Sequence, residues 1–370
     1  GHVAGGVGII TGDDNTVVGK SAGYDLTSGY RNVLLGSGAG ANVTDNFNNI
    51  AIGHNAFLTA NTGENYNVAI GGNALYSETS GADYCVAVGY NAMIGQNANV
   101  VNTSVGSSAL FHNKSGGNSV AVGLSAGYAN VDSYNTWVGH QSGAHTGHAA
   151  ANTTLGYRAY FSSTATPVTG DLNGSTTVIN VSDVSELAAG QAVTGTGIAY
   201  GTYIASVDSA SQITLSTAAT TTQNGVTLTA YKGTGESNTC IGYTAGEDIT
   251  VGHSNTLVGR DAGKEFTDNL YNVAVGTFAL DAANGGEHAN VAIGFSALSA
   301  ETSGADYCVA VGHNALLSQN AAVKNTAIGG LAGDAITSGT GHTLVGYQSG
   351  SGMTDATNNT VIGHNAMSGG

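Results

Sequence analysis

Proline, charged residues and basic residues are scarce in this sequence. It has 1 proline and 8 Lys+Arg, and only 9% of its residues are charged, against about 25% in an average protein. Because proline is almost absent and there is no G-X-Y period, its 58 glycines do not indicate collagen. The formal charge of −16 argues against nucleic acid or an anionic membrane surface as a partner, because both attract clustered positive charge.

Cysteine and long apolar runs are also scarce. Three cysteines cannot form a disulfide framework. No run of 18 apolar residues exists, so we expect no membrane insertion. The sequence begins at a glycine with no signal-like segment, and we expect it to be a piece of a longer chain. Abundant glycine and β-branched residues with little charge favour a β-structure rich in turns over disorder.

The sequence is, in contrast, highly repetitive. In two series, a Val, Ile or Leu followed by glycine recurs at steps of sixteen, seventeen or eighteen positions, giving seventeen repeats such as NTVVGKSAG and NVAIGGNAL. We call this glycine the repeat glycine and number the positions of each repeat from it. Repeats of this length predict a solenoid in which each repeat forms one coil and stacks on its neighbours. The repeat glycines are Gly19, Gly36, Gly53, Gly71, Gly89, Gly106, Gly123, Gly139, Gly156, Gly242, Gly259, Gly276, Gly294, Gly312, Gly329, Gly346 and Gly363.

The positions around the repeat glycine have distinct compositions. Positions −3 and −1 hold Thr, Val, Ile or Leu, and side chains two residues apart lie on the same face of a strand. Position −2 is mostly small, and position +3 is Ala in fifteen repeats and Ser in two. This pattern predicts a short strand with one apolar stripe and a thin coil interior filled by Val, Ile and Ala. It also predicts a corner at the glycine, with positive φ or close backbone approach.

Position −4 is asparagine in thirteen of the seventeen repeats. Stacked asparagine side chains hydrogen-bond along a ladder in cross-β assemblies, and we predict such a ladder here. Cys85, Ser119, Cys308 and His342 take this position in the other four repeats. The ladder residues are Asn15, Asn32, Asn49, Asn67, Asn102, Asn135, Asn152, Asn238, Asn255, Asn272, Asn290, Asn325 and Asn359.

Two larger features interrupt the simple repeat. The dodecapeptide ETSGADYCVAVG occurs at 78–89 and 301–312, which marks duplication of a block of nine coils, and its longer step predicts a bulge or longer loop. Residues 164–232 break the period, and five segments from TTVINV to GVTLTAY predict a small inserted β-barrel or β-sandwich. The predicted domains are 1–163 with nine repeats, 164–232, and 233–370 with eight repeats.

The repeat N-[ST]-x-[AV]-[VI]-G-x-x-A resembles that of trimeric autotransporter adhesin heads, and similar NTAIGYxAG repeats occur in bacteriophage tail fibres. The resemblance covers about 300 of the 370 residues. It implies an all-β solenoid or β-roll of about seventeen 17-residue coils, in an intertwined or side-by-side homotrimer. Adhesin heads have a shorter period, so wider coils or longer loops are expected here. The inserted pattern AxGxxVTGTGIxxGTxIxxV resembles small β-modules of phage virion proteins, which favours a phage fibre.

The resemblance implies a structural phage tail fibre protein that is located in the virion and serves host attachment. Its implied partners are copies of itself, other tail or fibre proteins, and a glycan or protein receptor on the host surface. The alternative is a bacterial trimeric adhesin head at the cell surface. An ice-binding solenoid is less favoured because Val or Ile breaks the Thr column at −3 in eight repeats. A polysaccharide depolymerase is less favoured because Trp137 is the only tryptophan available for a sugar-binding cleft.

We expect no enzymatic activity, cofactor or metal. Two carboxylates make a glycosidase only if they face each other across a groove, and the sparse acids fall mostly in loops. Histidines that follow a repeat glycine, and the HTGH stretch at 145–148, could bind a metal, but exposed polar roles are favoured. The residues considered are Asp13, Asp14, Asp45, Asp268 and Glu301 as carboxylates, and His54, His140, His313 and His364 as metal ligands.

Cysteines and tyrosines complete the candidates. Cys85, Cys240 and Cys308 are predicted to be buried structural residues and not nucleophiles, while pairing between chains of a trimer stays open. Tyrosines near turns are candidates for contacting a receptor, because the ring is amphipathic. They include Tyr30, Tyr66, Tyr84, Tyr128, Tyr134, Tyr271 and Tyr307.

Overall fold

The computed structural model describes residues 10–60, 63–77, 83–96, 101–162, 165–199, 202–231, 233–283, 286–300, 306–320 and 324–369. Every regular element in these ranges is a β-strand, and they contain no helix. The chain divides into two compact units. The first unit comprises Gly1–Ala150 and Ala165–Lys232, and the second comprises Ala151–Thr164 and Gly233–Gly370.

The first unit contains a solenoid with one short strand in each coil. In the part of it that the structure describes, these strands are β1 (Thr16–Val18), β2 (Val33–Leu35), β3 (Ile50–Ile52), β4 (Val68–Ile70), β5 (Val86–Val88), β6 (Asn102–Val105), β7 (Ser119–Val122) and β8 (Thr136–Val138). Each strand pairs in parallel with the strand of the next coil, so that Thr16 lies opposite Val33. Since chain neighbours are also parallel sheet neighbours, the backbone makes one coil per repeat.

The second unit has the same architecture. Its described solenoid strands are β9 (Thr153–Leu155), β16 (Thr239–Ile241), β17 (Thr256–Val258), β18 (Val273–Val275), β19 (Val291–Ile293), β20 (Val309–Val311), β21 (Thr326–Ile328), β22 (Thr343–Val345) and β23 (Thr360–Ile362). All pair in parallel with the next coil. Thr153 of β9 lies opposite Thr239 of β16, so the coil resumes in register after the long interruption. The predicted all-β solenoid is confirmed in both units.

The repeat glycines form the corner at the end of each strand. Their φ angles all lie between 129° and 146°, a region that residues with a Cβ atom rarely adopt. The corners also stack so closely that a Cβ atom on Gly19 would collide with the carbonyl oxygen of Gly36 in the next coil. Both physical reasons for glycine at this position therefore apply together.

The turn after each corner contains a regularity that the sequence did not predict. Positions +2 and +4 have positive φ in every coil, even where the residue is large, as at Asn73 (55°) and Leu75 (48°). The Asn73 N–H donates to the His54 carbonyl of the preceding coil at 2.9 Å, and the Leu75 N–H donates to the Ala92 carbonyl of the next coil at 3.0 Å. A left-handed leucine costs roughly 1–2 kcal/mol, which these cross-coil hydrogen bonds help to offset.

The strand centre, position −2, points into the coil. Ala69 and Ala87 are fully buried there, whereas Val18 and Ile362, at position −1, are 60% and 69% exposed. The predicted interior of Val, Ile and Ala is therefore wrong for the strand positions −3 and −1, whose side chains lie on the outer face. Strand alternation establishes that two residues share a face but does not determine which face is buried.

The strand centre and position +4 fill the interior by complementary size in most coils. Where the strand centre is small, as at Ala69, position +4 is large and buried, as at Leu75. Where the strand centre is large, as at Leu34, position +4 is a glycine, and a Cβ atom on Gly40 would lie 2.7 Å from Leu34 Cδ2. The interior of each such coil thus holds one large side chain, from either the strand or the turn. This arrangement gives the close packing typical of protein interiors.

Within residues 165–199 and 202–231 the strands are β10 (Ala165–Asn173), β11 (Thr177–Ile179), β12 (Ala192–Gly195), β13 (Ile204–Ser209), β14 (Gln212–Leu215) and β15 (Thr222–Tyr231). They form a six-stranded antiparallel sheet in the order β12-β15-β10-β11-β14-β13. It has a core of its own, in which Ile204 and Ile213 are almost fully buried. The sequence predicts five of these strands and misses β10, because Pro167 and Gly170 argue against a central strand.

Pro167 is tolerated because it pairs only with β15, opposite Thr229. The register pairs of β10 with β11 are Asp171 with Ile179 and Leu172 with Val178. The three-domain division of the sequence stays a prediction. The loops at 78–82 and 301–305, where the sequence predicts a bulge, lie outside the described residues.

Candidate interaction surfaces

The asparagine column links each coil to the next through both ends of its amide. Asn32 N–H donates to Asn15 Oδ1 at 3.0 Å, and Asn49 N–H donates to Asn32 Oδ1 at 3.0 Å. The Asn32 Nδ2 donates in turn to the Asn46 carbonyl at 2.8 Å, which holds the loop before the next strand. Some amides also bond each other, as Asn32 Nδ2 does with Asn15 Oδ1 at 3.0 Å. The column therefore bonds mainly side chain to backbone, where the prediction had side chain to side chain.

His342 reproduces both functions of the asparagine that it replaces. Its backbone N–H donates to Asn325 Oδ1 at 2.8 Å. Its Nδ1 accepts from the Asn359 N–H at 3.2 Å, and its Nε2 lies 2.6 Å from the Ala356 carbonyl oxygen. Because a carbonyl can only accept, Nε2 carries the proton and Nδ1 serves as the acceptor.

The three cysteines are all buried. Cys85 and Cys308 continue the column through their backbone, donating to Asn67 Oδ1 and Asn290 Oδ1 at 2.9 and 2.8 Å. Cys240 is the strand centre of β16, and burial raises the pKa of its thiol far above the ordinary range. A buried, protonated thiol is a poor nucleophile, which favours a packing role for Cys240.

The four histidines that follow a repeat glycine are all exposed at the coil corners. The His313 ring stacks on Phe295, and the His364 ring stacks on Tyr347, each with ring centroids 5.3 Å apart. Among the described residues, no three His, Cys, Asp or Glu side chains come together as a metal site would require. The other two histidines that follow a repeat glycine are His54 and His140.

The HTGH loop of the eighth coil contacts the six-stranded sheet within the first unit. His148 Nδ1 lies 3.0 Å from Asp132 Oδ1, and its ring meets Tyr203 edge to face at 4.1 Å between centroids. The His148 N–H donates to the Gly190 carbonyl at 3.2 Å, and the His145 ring lies 4.7 Å from that of Tyr231. Histidines that the sequence offered as weak metal candidates therefore form contacts between the solenoid and this sheet.

The candidate loop carboxylates do not converge. Four of them are exposed, namely Asp13, Asp14, Asp45 and Asp268. Asp14 Oδ2 lies 3.8 Å from Arg31 Nε. Glu301 lies outside the described residues.

Sequence reasoning missed two buried carboxylates at equivalent places in the two duplicated blocks. Glu64 Oε2 accepts from Asn46 Nδ2 at 2.8 Å, and Glu287 Oε2 accepts from Asn269 Nδ2 at 2.7 Å. Glu64 and Glu287 are separated by the same offset as Glu78 and Glu301, which begin the two dodecapeptides, and this offset is the signal that could have found them.

Most of the candidate tyrosines lie on the surface. In the first unit Tyr30, Phe47, Tyr66 and Tyr84 make a continuous row, in which the Tyr66 and Tyr84 rings stack at 4.9 Å. Tyr134, Tyr271 and Tyr307 are also exposed. Tyr128 is half-buried and stacks on Phe111 at 5.0 Å.

The outer face of the solenoid strands carries a column of Val, Ile or Leu at position −1 beside a column of Thr, Val or Ile at position −3. Positions −3 and −1 hold no charged residue in any of the seventeen repeats. Val122 and Ile328 are 37% and 43% exposed, and the same columns continue from coil to coil in each unit. We call this surface the outer strand face. Contiguous apolar patches of this kind are rare on monomeric proteins and mark interaction sites.

Comparison with family models, with curated proteins and with solved structures gives no match to this chain. The described residues contain no helical segment with the length and hydropathy that a membrane span requires. The fold is that of a parallel β-solenoid, and the likeness of its repeat to fibre and adhesin repeats stays a prediction.

Proposed function

We propose that this protein is a non-catalytic structural segment of a homotrimeric phage tail fibre that serves host attachment. The observation that carries the proposal is the outer strand face, an uncharged surface on which position −1 is Val, Ile or Leu in every coil. Val122, Ile293 and Ile328, in inner coils of this face, are 37%, 39% and 43% exposed. Covering such side chains contributes about 25 cal/mol per Å² of apolar area, so association of solenoids along it is favourable.

Further copies of the same chain are the best partners for this face. The step between repeat glycines is irregular, being longer from Gly53 to Gly71 than from Gly123 to Gly139. Copies related by an axis along the solenoid nevertheless present coils of the same length at the same height, whereas a different partner would have to match this irregular spacing independently. Cyclic symmetry is also the commonest arrangement of homo-oligomers. The number three comes from the resemblance of the repeat to trimeric adhesin heads and fibres.

A structural role is supported by where the polar groups of the chain lie. The side-chain amides of the asparagine column form hydrogen bonds between coils. Asn255 Oδ1 accepts from the Asn272 N–H at 3.0 Å, and Asn255 Nδ2 donates to the Asn269 carbonyl at 2.8 Å. Such a column links successive coils of a solenoid and so favours a structural role for these amides. The proposed partners are therefore other fibre or tail proteins and a receptor on the host surface, and the proposed location is the virion.

Light scattering during size-exclusion chromatography tests the trimer. We expect a mass about three times the 36.6 kDa of the chain, and a mass of one chain contradicts the proposal. A double variant, Val122→Lys with Ile293→Lys, should dissociate the trimer without unfolding the coils, because both side chains already lie on the surface. Val251→Lys is the matched control, since Val251 is 52% exposed but lies in a loop away from the strands.

The bacterial adhesin head is the alternative with the same architecture. The complete reading frame and its neighbouring genes distinguish the two. A C-terminal membrane anchor would support the adhesin, and neighbouring virion genes would support the fibre. Release of reducing ends from host polysaccharide would instead indicate a depolymerase and contradict the non-catalytic role.

A further inference from the structure

We propose that a groove over the turns of three successive coils in the first unit binds a neutral oligosaccharide. The groove has a volume of about 470 Å³ and is lined by His54, Asn55, Asn73, Tyr76, Tyr90 and Ile94. This volume is within the range of small-ligand sites, about 300–1,000 Å³. The inference rests on the proposed attachment function and specifies the class of ligand that this function would use.

The groove exists because one coil lacks a side chain at its corner. Position +1 holds His54, Gly72 and Tyr90 in the three coils. A Cβ atom on Gly72 would lie 3.3 Å from Tyr90 Cδ2, so the tyrosine ring lies beside the bare backbone of the middle coil. Tyr90 is 59% exposed and presents an aromatic surface to solvent. Two coil steps separate His54 from Tyr90, about 10 Å, which is the length of a disaccharide.

The polar groups of the groove suit hydroxyl groups. Asn55 and Asn73 each offer an amide donor and acceptor side by side, and Asn73 Nδ2 is oriented by a 3.0 Å hydrogen bond to Asn91 Oδ1. Tyrosines supply a flat apolar surface with a polar tip. The lining contains no Asp, Glu, Lys or Arg, so an ionic ligand would find no ion-pair partner among those residue types. Amides around aromatic rings, without fixed charge of that kind, indicate a neutral sugar.

The same corner arrangement occurs a second time. His313, Gly330 and Tyr347 hold position +1 in three successive coils of the second unit, and a Cβ atom on Gly330 would lie 3.5 Å from Tyr347 Cδ2. The block duplication does not explain this recurrence, because it places Tyr90, and not His54, opposite His313. Histidine, glycine and tyrosine therefore hold position +1 in this order in two sets of coils that the block duplication does not pair, which is unexpected if position +1 is unconstrained.

The test uses an immobilised panel of neutral oligosaccharides of glucose, galactose and N-acetylglucosamine beside sialylated and uronate-containing ones. We expect the unmodified chain to bind neutral members. Tyr90→Ala combined with Tyr347→Ala should weaken binding at least tenfold by removing the aromatic surface of both corner arrangements. Gly72→Leu combined with Gly330→Leu should weaken it at least tenfold by filling the space beside both tyrosines, and this variant should fold, because Leu124 occupies the equivalent position of another coil. Thr277→Leu, at the same position in the second unit, should bind as the unmodified chain does.

Circular dichroism and light scattering on each variant separate lost binding from lost structure. No binding to any neutral sugar, binding confined to acidic sugars, or undiminished binding by the variant with both Gly72→Leu and Gly330→Leu would each overturn the inference. If the chain is a trimer but binds no neutral sugar, the inference fails and the proposed fibre stands. If the chain is a monomer, the proposed fibre fails whatever the panel shows.

Discussion

The indole of Trp137 packs against the backbone of Gly143 in the same coil, such that a Cβ atom on the glycine would lie 2.5 Å from ring atom Cδ2. Trp137 is fully buried and is the largest side chain in the core. The next coil back is also adapted to it, because a Cβ atom on Gly127 would lie 2.5 Å from Trp137 Cδ1. The tryptophan thus occupies space that other coils give to a large residue at position +4.

We therefore expect Gly143→Ala to lower the free energy of unfolding by about 3 kcal/mol, from overpacking together with a left-handed alanine. Gly225→Ala is the matched control. Gly225 has φ of 63° against 60° for Gly143, but no atom lies within 4 Å of its Cβ position. The control should cost only about 1 kcal/mol of backbone strain. Urea unfolding measures both, and equal losses would show that the indole does not restrict this site.

Complementary filling of the coil predicts rescue between Leu34 and Gly40. Leu34→Ala should cost about 2–5 kcal/mol through the cavity it leaves. Gly40→Leu alone should also destabilise, since its Cβ would meet Leu34 Cδ2 at 2.7 Å. The double variant recreates the Ala69–Leu75 pair of another coil and should recover at least half of the summed loss. A double-mutant cycle by urea unfolding checks this, and simple additivity would contradict complementary filling.

The asparagine column predicts different outcomes for two substitutions at Asn255. Asn255→Ala leaves the buried Asn272 N–H and the Asn269 carbonyl without their 3.0 and 2.8 Å partners, which should cost about 3 kcal/mol. Asn255→His should lose less than half as much, because His342 performs both functions elsewhere in the column. Thermal unfolding followed by circular dichroism measures the two variants. A histidine variant as unstable as the alanine variant would be the contrary result.

His112 predicts a loss of stability in mild acid. Burial lowers its pKa from 6.5 to about 4, so the unfolded chain binds more protons than the folded chain between these values. The contribution of neutral His112 to the free energy of unfolding is therefore fully present above pH 6.5. It is lost as the pH drops towards 4, by about 3 kcal/mol at most. His112→Phe should remove this part of the pH dependence, since the imidazole already lies edge-on to Tyr128 at 4.9 Å.

Urea unfolding at several pH values between 4 and 7 compares the variant with the unmodified chain. Subtracting the two curves cancels the contribution of all other titrating groups. Curves that run parallel throughout would show that His112 does not lose a proton on folding.

The sequence predicted the features of the coil that depend on local backbone chemistry. A β-branched residue three positions before each repeat glycine indicated a short strand, and glycine indicated the corner, where φ is in fact 129° to 146°. Asparagine at position −4 indicated a hydrogen-bonded column because the same residue recurs at the same place in successive coils. Strand β10 was missed, because Pro167 and Gly170 weaken the local strand signal while pairing with β15 maintains the strand.

Only the tertiary structure decided which face of the strand is buried. Alternation places Val86 and Val88 on one face and Ala87 on the other, and hydrophobicity alone favours burying the valines. The coil is narrow and already receives Met93 from the turn, so it accepts the alanine and leaves the valines outside. The sequence by itself thus determined the period, the corners and the column. The residues that the HTGH loop contacts, and the choice of which strand face lies outside, depend on contacts between residues distant in the chain. No local sequence pattern encodes such contacts.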